Sequence, residues 1–198
     1  MKKLVFASNN AHKLQEVRAI MPPDVEVLSL RDIGFHDEIE ETGTTLEANS
    51  ALKAQTVYNW LESQQSPIVS LSDIAGVFAD DTGLEIDALN GEPGVYTARW
   101  AGDPAANRAK ALSELKGNPN RGAQFRAVIT LIRNGQMTQV EGIVRGQMAT
   151  EERGEKGFGY DSLFIPSGCD KTFAQLPSET KNQISHRGRA LAKLVPLL

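Results

Sequence analysis

The sequence predicts an α/β fold built on a mixed β-sheet. In the first half of the chain, short apolar runs alternate with segments of helical periodicity, a pattern typical of parallel strands joined by helices. In the second half, strand-like segments at 125–132 and 137–144 flank Asn134-Gly135, a dipeptide that favours a tight hairpin. Parallel strands early and antiparallel strands late together indicate a mixed sheet.

Start and stop signals delimit the elements of the first half. Pro22-Pro23 end the first helix, and Thr44 with Glu47 forms a capping box for a long helix that runs to about Leu61. The predicted elements are strand 4–7, a helix carrying Leu14 to Met21, strand 25–30, the long helix, a linker with a weak strand at 62–75, and an apolar run at 77–79.

The second half reads as loops, one helix, the hairpin and a terminal helix. Its predicted elements are a loop-rich stretch at 90–104, a helix at 105–115, the two hairpin strands, a glycine-rich loop at 154–161 and a helix from about 185 to 194.

Composition limits the classes of function. The chain has 198 residues, which fits one domain or one domain with two lobes, and its net charge of −4 does not favour a nucleic acid polymer. Cys169 is the single cysteine, which fits a reducing compartment. The apolar run near the start is too short for a signal peptide, and no apolar stretch has the length of a membrane span. We therefore expect a cytoplasmic protein that does not bind membranes.

Acidic residues occur in two places suited to a divalent metal. Asp80-Asp81 follow an apolar run, and carboxylates fixed at a strand end suit Mg²⁺, although Asp-Asp-Thr-Gly also favours a simple turn. The acidic loop around Glu40 and Glu41 offers further ligands, and its alternative interpretation is a solvated loop.

The long helix carries two polar residues on its apolar stripe. Asn49 and Lys53 share an arc with Leu46, Val57 and Trp60. A lysine at the edge of such a stripe can snorkel to solvent. A buried lysine would instead need an anion, such as a carboxylate or a phosphate.

A strand–turn–helix junction at residues 8–13 offers a phosphate site. Free N–H groups at a helix N-terminus together with Lys13 can bind phosphate. The sequence contains neither a Walker A loop nor a dinucleotide-binding glycine fingerprint.

The last two groups are an aromatic pair and a basic cluster. Phe158 and Tyr160 flank a glycine and could stack on a base, or they could fill the core. Lys181, His186 and Arg187 gather near a helix start, where a solvated helix face is the first interpretation and an acid–base role of His186 is the other.

These segments occur in a fixed order along nearly the whole chain. They are residues 8–13 with Glu16, 40–43 with 47–49 and 53–54, 79–84, 93–96 with 98–99, 157–161, and 181–182 with 185–187. In this order they resemble the inosine triphosphate pyrophosphatases, also described as XTP/dITP diphosphatases. Thr82 stands where that family more usually has serine, and Ser162 where it has proline. The segment between Lys53 and Asp80 is longer than in bacterial members.

The resemblance implies an elongated mixed sheet with flanking helices, as a single domain over residues 1–198 with two lobes around a central nucleotide-binding cleft, and a homodimer. It implies Asp81, Asp80 and Lys53 as catalytic residues, with Mg²⁺ held by Asp81 and by Glu40 or Glu41. The substrate-binding residues that it implies are Ser8, Asn9, Asn10, Ala11, His12, Lys13, Thr82, Phe158, Gly159, Tyr160, Asp161, Lys181, His186 and Arg187.

The activity implied by the resemblance is magnesium-dependent hydrolysis of ITP, dITP and XTP to the monophosphate and pyrophosphate. Two rivals remain at this point. One is a related pyrophosphatase that acts on other modified nucleotides, and the other is a nucleotide-binding protein without catalytic activity.

Overall fold

The computed structural model describes residues 1–63 and 65–198, and these form seven strands and five α-helices. In chain order they are β1 (Lys2–Phe6), α1 (Ala11–Ile20), β2 (Val25–Leu28), α2 (Leu46–Glu62), β3 (Gly76–Ile86), β4 (Pro93–Gly94), α3 (Pro104–Glu114), β5 (Gly122–Arg133), β6 (Gln136–Met148), β7 (Phe164–Pro166), α4 (Ser178–Ile184) and α5 (His186–Leu194).

The sheet is mixed, as the sequence predicts. Its strand order is β2-β1-β3-β5-β6-β7, with β4 paired to β3 off this path. Strand β1 is parallel to β2 and to β3, whereas β3–β4 and β6–β7 are antiparallel. Between β5 and β6, Asn134 and Gly135 take φ values of 51° and 75°, which a two-residue hairpin of this kind requires. The α/β fold with a mixed sheet and the hairpin are therefore confirmed.

The chain divides into two compact units. The first unit comprises Met1–Asp81, Val128–Glu141 and Ala190–Leu198. In its core, the buried side chains of β1 and β3 pack against α2 and against the segment that follows β2. The core residues are Val5, Ala7, Leu30, Ile33, Phe35, Ala54, Val57, Tyr58, Leu61, Val77, Ala79 and Ile132. The long helix therefore packs on the sheet through the apolar stripe that the sequence predicts.

The second unit comprises Thr82–Ala127 and Gly142–Arg189. Aromatic residues dominate its core, with Phe164 against Phe125 at 4.8 Å and against Phe173 at 5.2 Å between ring centroids. Strands β3, β5 and β6 each contribute residues to both units. The predicted single domain, its elongated shape and its central cleft stay predictions.

Three predictions about single elements are wrong, and the first two concern β3 and α2. Asp80 and Asp81 do not end a strand, because β3 continues through them to Ile86. The cap of α2 is Thr45, whose hydroxyl accepts a hydrogen bond from the Ala48 N–H, so the capping box of Thr44 and Glu47 does not form.

The weak strand expected within 62–75 is instead a 3₁₀ turn at Leu71–Asp73, which Ser70 caps; residue 64 lies outside the described residues. A short helix before the terminal one, α4, is absent from the sequence-based prediction. Of the helices in the described residues, none combines the length and the apolarity that crossing a membrane takes.

Candidate active site

Two adjacent carboxylates, Asp80 and Asp81, lie in the middle of β3. They are the last two residues of the Met1–Asp81 segment of the first unit. Asp80 is fully buried and Asp81 is 6% exposed. Successive side chains of a strand point to opposite faces of a sheet, so the two acids meet different helices. Asp80 contacts Lys13 of α1, and Asp81 contacts Lys53 of α2. The pair therefore forms two sites with separate partners.

The turn before α1 is a capped helix start that carries Lys13. The Asn10 side chain accepts from the Lys13 N–H at 3.1 Å, and the Ser8 hydroxyl accepts from the Asn10 N–H at 3.2 Å. The Lys13 ammonium lies 2.5 Å from Asp80 Oδ1. Three other residues of the predicted loop, Asn9, Ala11 and His12, are exposed. This arrangement places a lysine and a helix N-terminus together, as a phosphate site requires.

Lys53 is buried between two carboxylates. Its ammonium lies 2.7 Å from Glu41 Oε1 and 3.1 Å from Asp81 Oδ1, and the residue is only 6% exposed. The snorkelling interpretation is therefore wrong. Burial lowers the pKa of Lys53, but the charges of Asp81, Glu41 and Asp80 together raise it above its usual value. Lys53 is thus held as a cation.

Asp81 keeps one carboxylate oxygen without a protein partner. Oδ1 faces Lys53, whereas Oδ2 is buried and makes no hydrogen bond to any residue that the structure describes. Burial raises the pKa of this carboxyl above its usual value, although Lys53 and Lys13 both act to lower it. A buried oxygen of this kind is costly to the fold unless a ligand or a proton meets it.

The surroundings of Asp81 fit a magnesium ion. The carboxylates of Asp81 and Glu41 both face the ammonium group of Lys53, so the local charge is negative. Among residues 1–63 and 65–198, no group of three or more His, Cys, Asp or Glu side chains has the arrangement of a metal site. Mg²⁺ needs only one or two carboxylates, because waters and phosphates complete its shell. Glu40 is exposed, so Glu41 is the better placed of the two glutamates.

In the second unit, an ion pair is buried beside an aromatic ring. Lys181 lies 2.6 Å from Asp161 Oδ2, and both side chains are 6% exposed. The same carboxylate oxygen accepts from the Phe158 N–H at 3.0 Å. The Lys181 ammonium is 5.1 Å from the centroid of the Phe158 ring. A charged pair therefore fixes the loop that carries Phe158.

The basic residues at the start of α5 are also buried. Arg187 is 1% exposed, donates to Thr82 Oγ1 at 3.2 Å, and places its guanidinium carbon 5.9 Å from the centroid of Phe158. His186 stacks on Phe125, with 4.7 Å between ring centroids. The solvated-face interpretation of Lys181, His186 and Arg187 is therefore wrong, and Thr82 supplies a hydroxyl to this group.

Tyr160 belongs to the core of the second unit. It is 3% exposed, its hydroxyl donates to the Thr97 carbonyl at 2.8 Å, and burial raises the pKa of its phenol. Gly159 beside it takes a positive φ of 60°, and its carbonyl accepts from Arg108 at 3.2 Å. Of the two aromatic residues in this loop, only Phe158 keeps a partly exposed ring.

Sequence reasoning missed Asn107, which supports the segment that the Tyr160 hydroxyl contacts. Asn107 of α3 is 2% exposed and donates to the carbonyls of Thr97 and Ala98, at 3.3 and 3.1 Å. It therefore shares the Thr97 carbonyl with Tyr160. The sequence could have indicated this role, because Asn107 stands four positions before Ala111 and therefore lies on the same, buried face of the helix.

Comparison with known proteins identifies the family. The model of the Ham1 family matches residues 4–197. A dITP/XTP pyrophosphatase of Flavobacterium johnsoniae is 46% identical over 202 residues, which cover 99% of this chain and 97% of that protein. One of the same name from Bacillus subtilis is 46% identical over 205 residues, with 100% and 98% covered.

A solved structure agrees with this assignment. The Ham1 protein of Staphylococcus aureus matches with a TM-score of 0.83 at 39% identity, covering 99% of this chain and 97% of that one. The family inferred from the ordered motifs is confirmed by these matches. The chain belongs to the Ham1 family.

Proposed function

We propose that this chain hydrolyses deaminated purine nucleoside triphosphates, namely ITP, dITP and XTP, to the monophosphate and pyrophosphate. The relatives that it matches over nearly its full length are named dITP/XTP pyrophosphatases. The observation that carries the proposal is Asp81, which is buried in β3 with one oxygen on Lys53, while its other oxygen makes no hydrogen bond to the residues that the structure describes. The activity would remove damaged purines from the nucleotide pool.

We propose that the first unit handles the phosphates. Lys13 and the turn at Ser8, Asn9, Asn10, Ala11 and His12 would bind the triphosphate, and Lys53 would orient Asp81 through Oδ1. Asp81 and Glu41 would hold Mg²⁺, which supplies neutralisation of the phosphate charge and a more acidic water.

The chemical step then uses Asp81 as the base. A water oxygen forms a bond to the α-phosphorus, its proton passes to Asp81 Oδ2, and the bond from the α-phosphorus to the bridging oxygen breaks, so that pyrophosphate leaves. The desolvation that raises the pKa of Asp81 makes its carboxylate a stronger proton acceptor.

In the second unit, we propose that Phe158 stacks on the base and that Lys181, His186 and Arg187 surround its edge. Arginine and lysine side chains only donate hydrogen bonds, so they suit keto oxygens. Thr82, Gly159, Tyr160 and Asp161 would act by holding these groups in place. Catalysis of this type depends mainly on positioning and electrostatics.

Hydrolysis of ITP in ¹⁸O-labelled water tests which bond breaks. We expect the label in the monophosphate and none in pyrophosphate, because the water attacks the α-phosphorus. Mass spectrometry of both products measures this. Orthophosphate and a nucleoside diphosphate as first products would contradict the proposed reaction.

We also propose that the protein acts as a homodimer in the cytoplasm, following the family resemblance. Light scattering of the purified chain is expected to give twice the mass of 21.5 kDa.

A further inference from the structure

The segment that carries Glu41 is an irregular stretch of chain that reaches Lys53 and Asp81, beside which we propose that Mg²⁺ binds. Residues 34–45 form neither helix nor strand, and α2 begins only at Leu46. Glu41 nevertheless lies 2.7 Å from Lys53, and its side chain is 29% exposed. An irregular segment with a partly exposed carboxylate needs a contact that fixes its backbone, since the ion pair alone leaves the main chain free to move.

That contact comes from Asn49 of α2. Asn49 is fully buried, and its Oδ1 accepts from the Gly43 N–H at 2.7 Å. Asn49 and Lys53 are four residues apart, so they lie on the same face of the helix. One helix face therefore binds the Glu41 segment twice, through the Gly43 backbone and through the Glu41 carboxylate.

The packing around Gly43 shows how close this approach is. A Cβ added at Gly43 would lie 2.6 Å from Asn49 Oδ1 and 2.8 Å from the Ala48 Cβ. Both distances are shorter than real Cβ contacts allow, so a side chain at this position forces either the Gly43 segment or the Asn49 side chain to shift. The Asn49–Gly43 hydrogen bond therefore sets a fixed separation between the segment and the helix.

Stability alone does not account for Asn49. Its Nδ2 group is buried and makes no hydrogen bond to the residues that the structure describes. A buried donor of this kind disfavours the fold, so the amide is retained at a cost. Its acceptor oxygen is the part with a defined partner.

We propose that Asn49 is a positioning residue for the reaction. By holding the Gly43 N–H, it places the Glu41 carboxylate against Lys53 and beside Asp81, and so completes the pair of acids that would bind Mg²⁺. The proposal rests on the proposed pyrophosphatase function. Asn49 itself would touch neither the phosphates nor the reacting water.

A double-mutant cycle tests this role. We expect Asn49→Ala to lower kcat for ITP about 10-fold and to weaken binding of Mg²⁺ alone, measured by calorimetry without nucleotide, at least 3-fold. In a Glu41→Gln background, the same substitution is expected to change kcat less than 2-fold, because its effect passes through Glu41. Asn59→Ala, at an exposed site on the same helix, is the matched control and should leave kcat and Mg²⁺ binding unchanged.

Gly43→Ala serves as the second variant, because it breaks the same contact from the other side. It is expected to reproduce the losses of Asn49→Ala in kcat and in Mg²⁺ binding, which keeps the test valid if Asn49→Ala fails to fold. Equal losses of kcat in the wild-type and Glu41→Gln backgrounds would overturn the proposal, as would full activity of Asn49→Ala. Absence of turnover in the wild-type protein would count against the proposed function instead, and the calorimetry would still report on Asn49.

Discussion

Replacing Asp81 with asparagine is expected to lower kcat for ITP by about 10³-fold, within the range that a general base contributes. The substitution keeps the shape of the side chain but removes the proton acceptor and a metal ligand. Asp81 Oδ2 is buried and makes no hydrogen bond within residues 1–63 and 65–198, and neither atom of the new amide can take a proton from water. Steady-state turnover with ITP and Mg²⁺ measures the effect.

The same variant is expected to unfold at a temperature no lower than that of the wild type. Burial disfavours the charged form of Asp81 and raises its pKa, so a neutral amide relieves that cost, and its NH2 group replaces an oxygen that is already unsatisfied among the described residues. Lys53 keeps Glu41 as its partner. Loss of activity without loss of Tm would mark Asp81 as a residue kept for function at the expense of stability.

Asp24→Asn is the matched control, because Asp24 is an exposed acid of the same unit. It should leave both kcat and Tm unchanged. Turnover of Asp81→Asn within a few-fold of the wild type would remove Asp81 from the mechanism. A large fall in Tm would show instead that Asp81 supports the fold.

The sequence predicts which residues form this site better than it predicts how they are arranged in space. The ordered motifs identified the family and pointed to Asp80, Asp81 and Lys53 from residue types alone. The sequence placed the acids at a strand end, because Asp-Asp-Thr-Gly favours a turn. The strand instead continues through both acids, and Lys13 and Lys53 each pair with one of them, on opposite faces of β3. Local propensity cannot include partners that are distant in the sequence.

The same limit explains the alternatives that the sequence left open. Helical periodicity placed Lys53 on the apolar stripe but could not distinguish a snorkelling lysine from a paired one. Arg187 looked like part of a solvated face, because the Thr82 hydroxyl that it meets is 105 residues away along the chain. Whether Lys53 and Arg187 are buried or solvated depends on polar partners that are distant in the sequence. The helical periodicity of the sequence carries no information about those partners.

Selectivity for deaminated bases is expected to be large. We predict that kcat/KM for ITP and XTP exceeds that for ATP by about 10²-fold or more, because a site built around hydrogen bonds rejects an analogue that leaves its polar groups unpaired. Hypoxanthine and xanthine present a 6-keto acceptor, whereas adenine presents a 6-amino donor. Lys181 and Arg187 have no acceptor atoms, and Asp161 Oδ2 already receives hydrogen bonds from Lys181 and from the Phe158 N–H.

The 6-amino group of ATP would therefore leave buried donors unpaired, at about 1–3 kcal/mol for each. GTP shares the 6-keto group, so its rejection must come from crowding or poor pairing at its 2-amino group, and we expect its kcat/KM to be low as well. Initial rates across ITP, dITP, XTP, GTP and ATP measure both ratios. Comparable efficiency on ATP would contradict the role in cleansing the nucleotide pool, even if pyrophosphate were released.

Arg187→Met tests the origin of this selectivity. The substitution keeps part of the apolar stem and deletes the guanidinium, so the ratio of kcat/KM for ITP to that for ATP is expected to fall about 10-fold or more, as the loss of one hydrogen bond to a charged donor implies. Arg189→Met is the matched control, because Arg189 is an exposed arginine on the same helix that donates to the Ile143 carbonyl. A ratio between two substrates does not depend on the folded fraction, so any instability of Arg187→Met cancels. If both variants kept the wild-type ratio, Arg187 would support the second unit's packing, and recognition of the base would lie with Lys181, His186 or the backbone of the Phe158 loop.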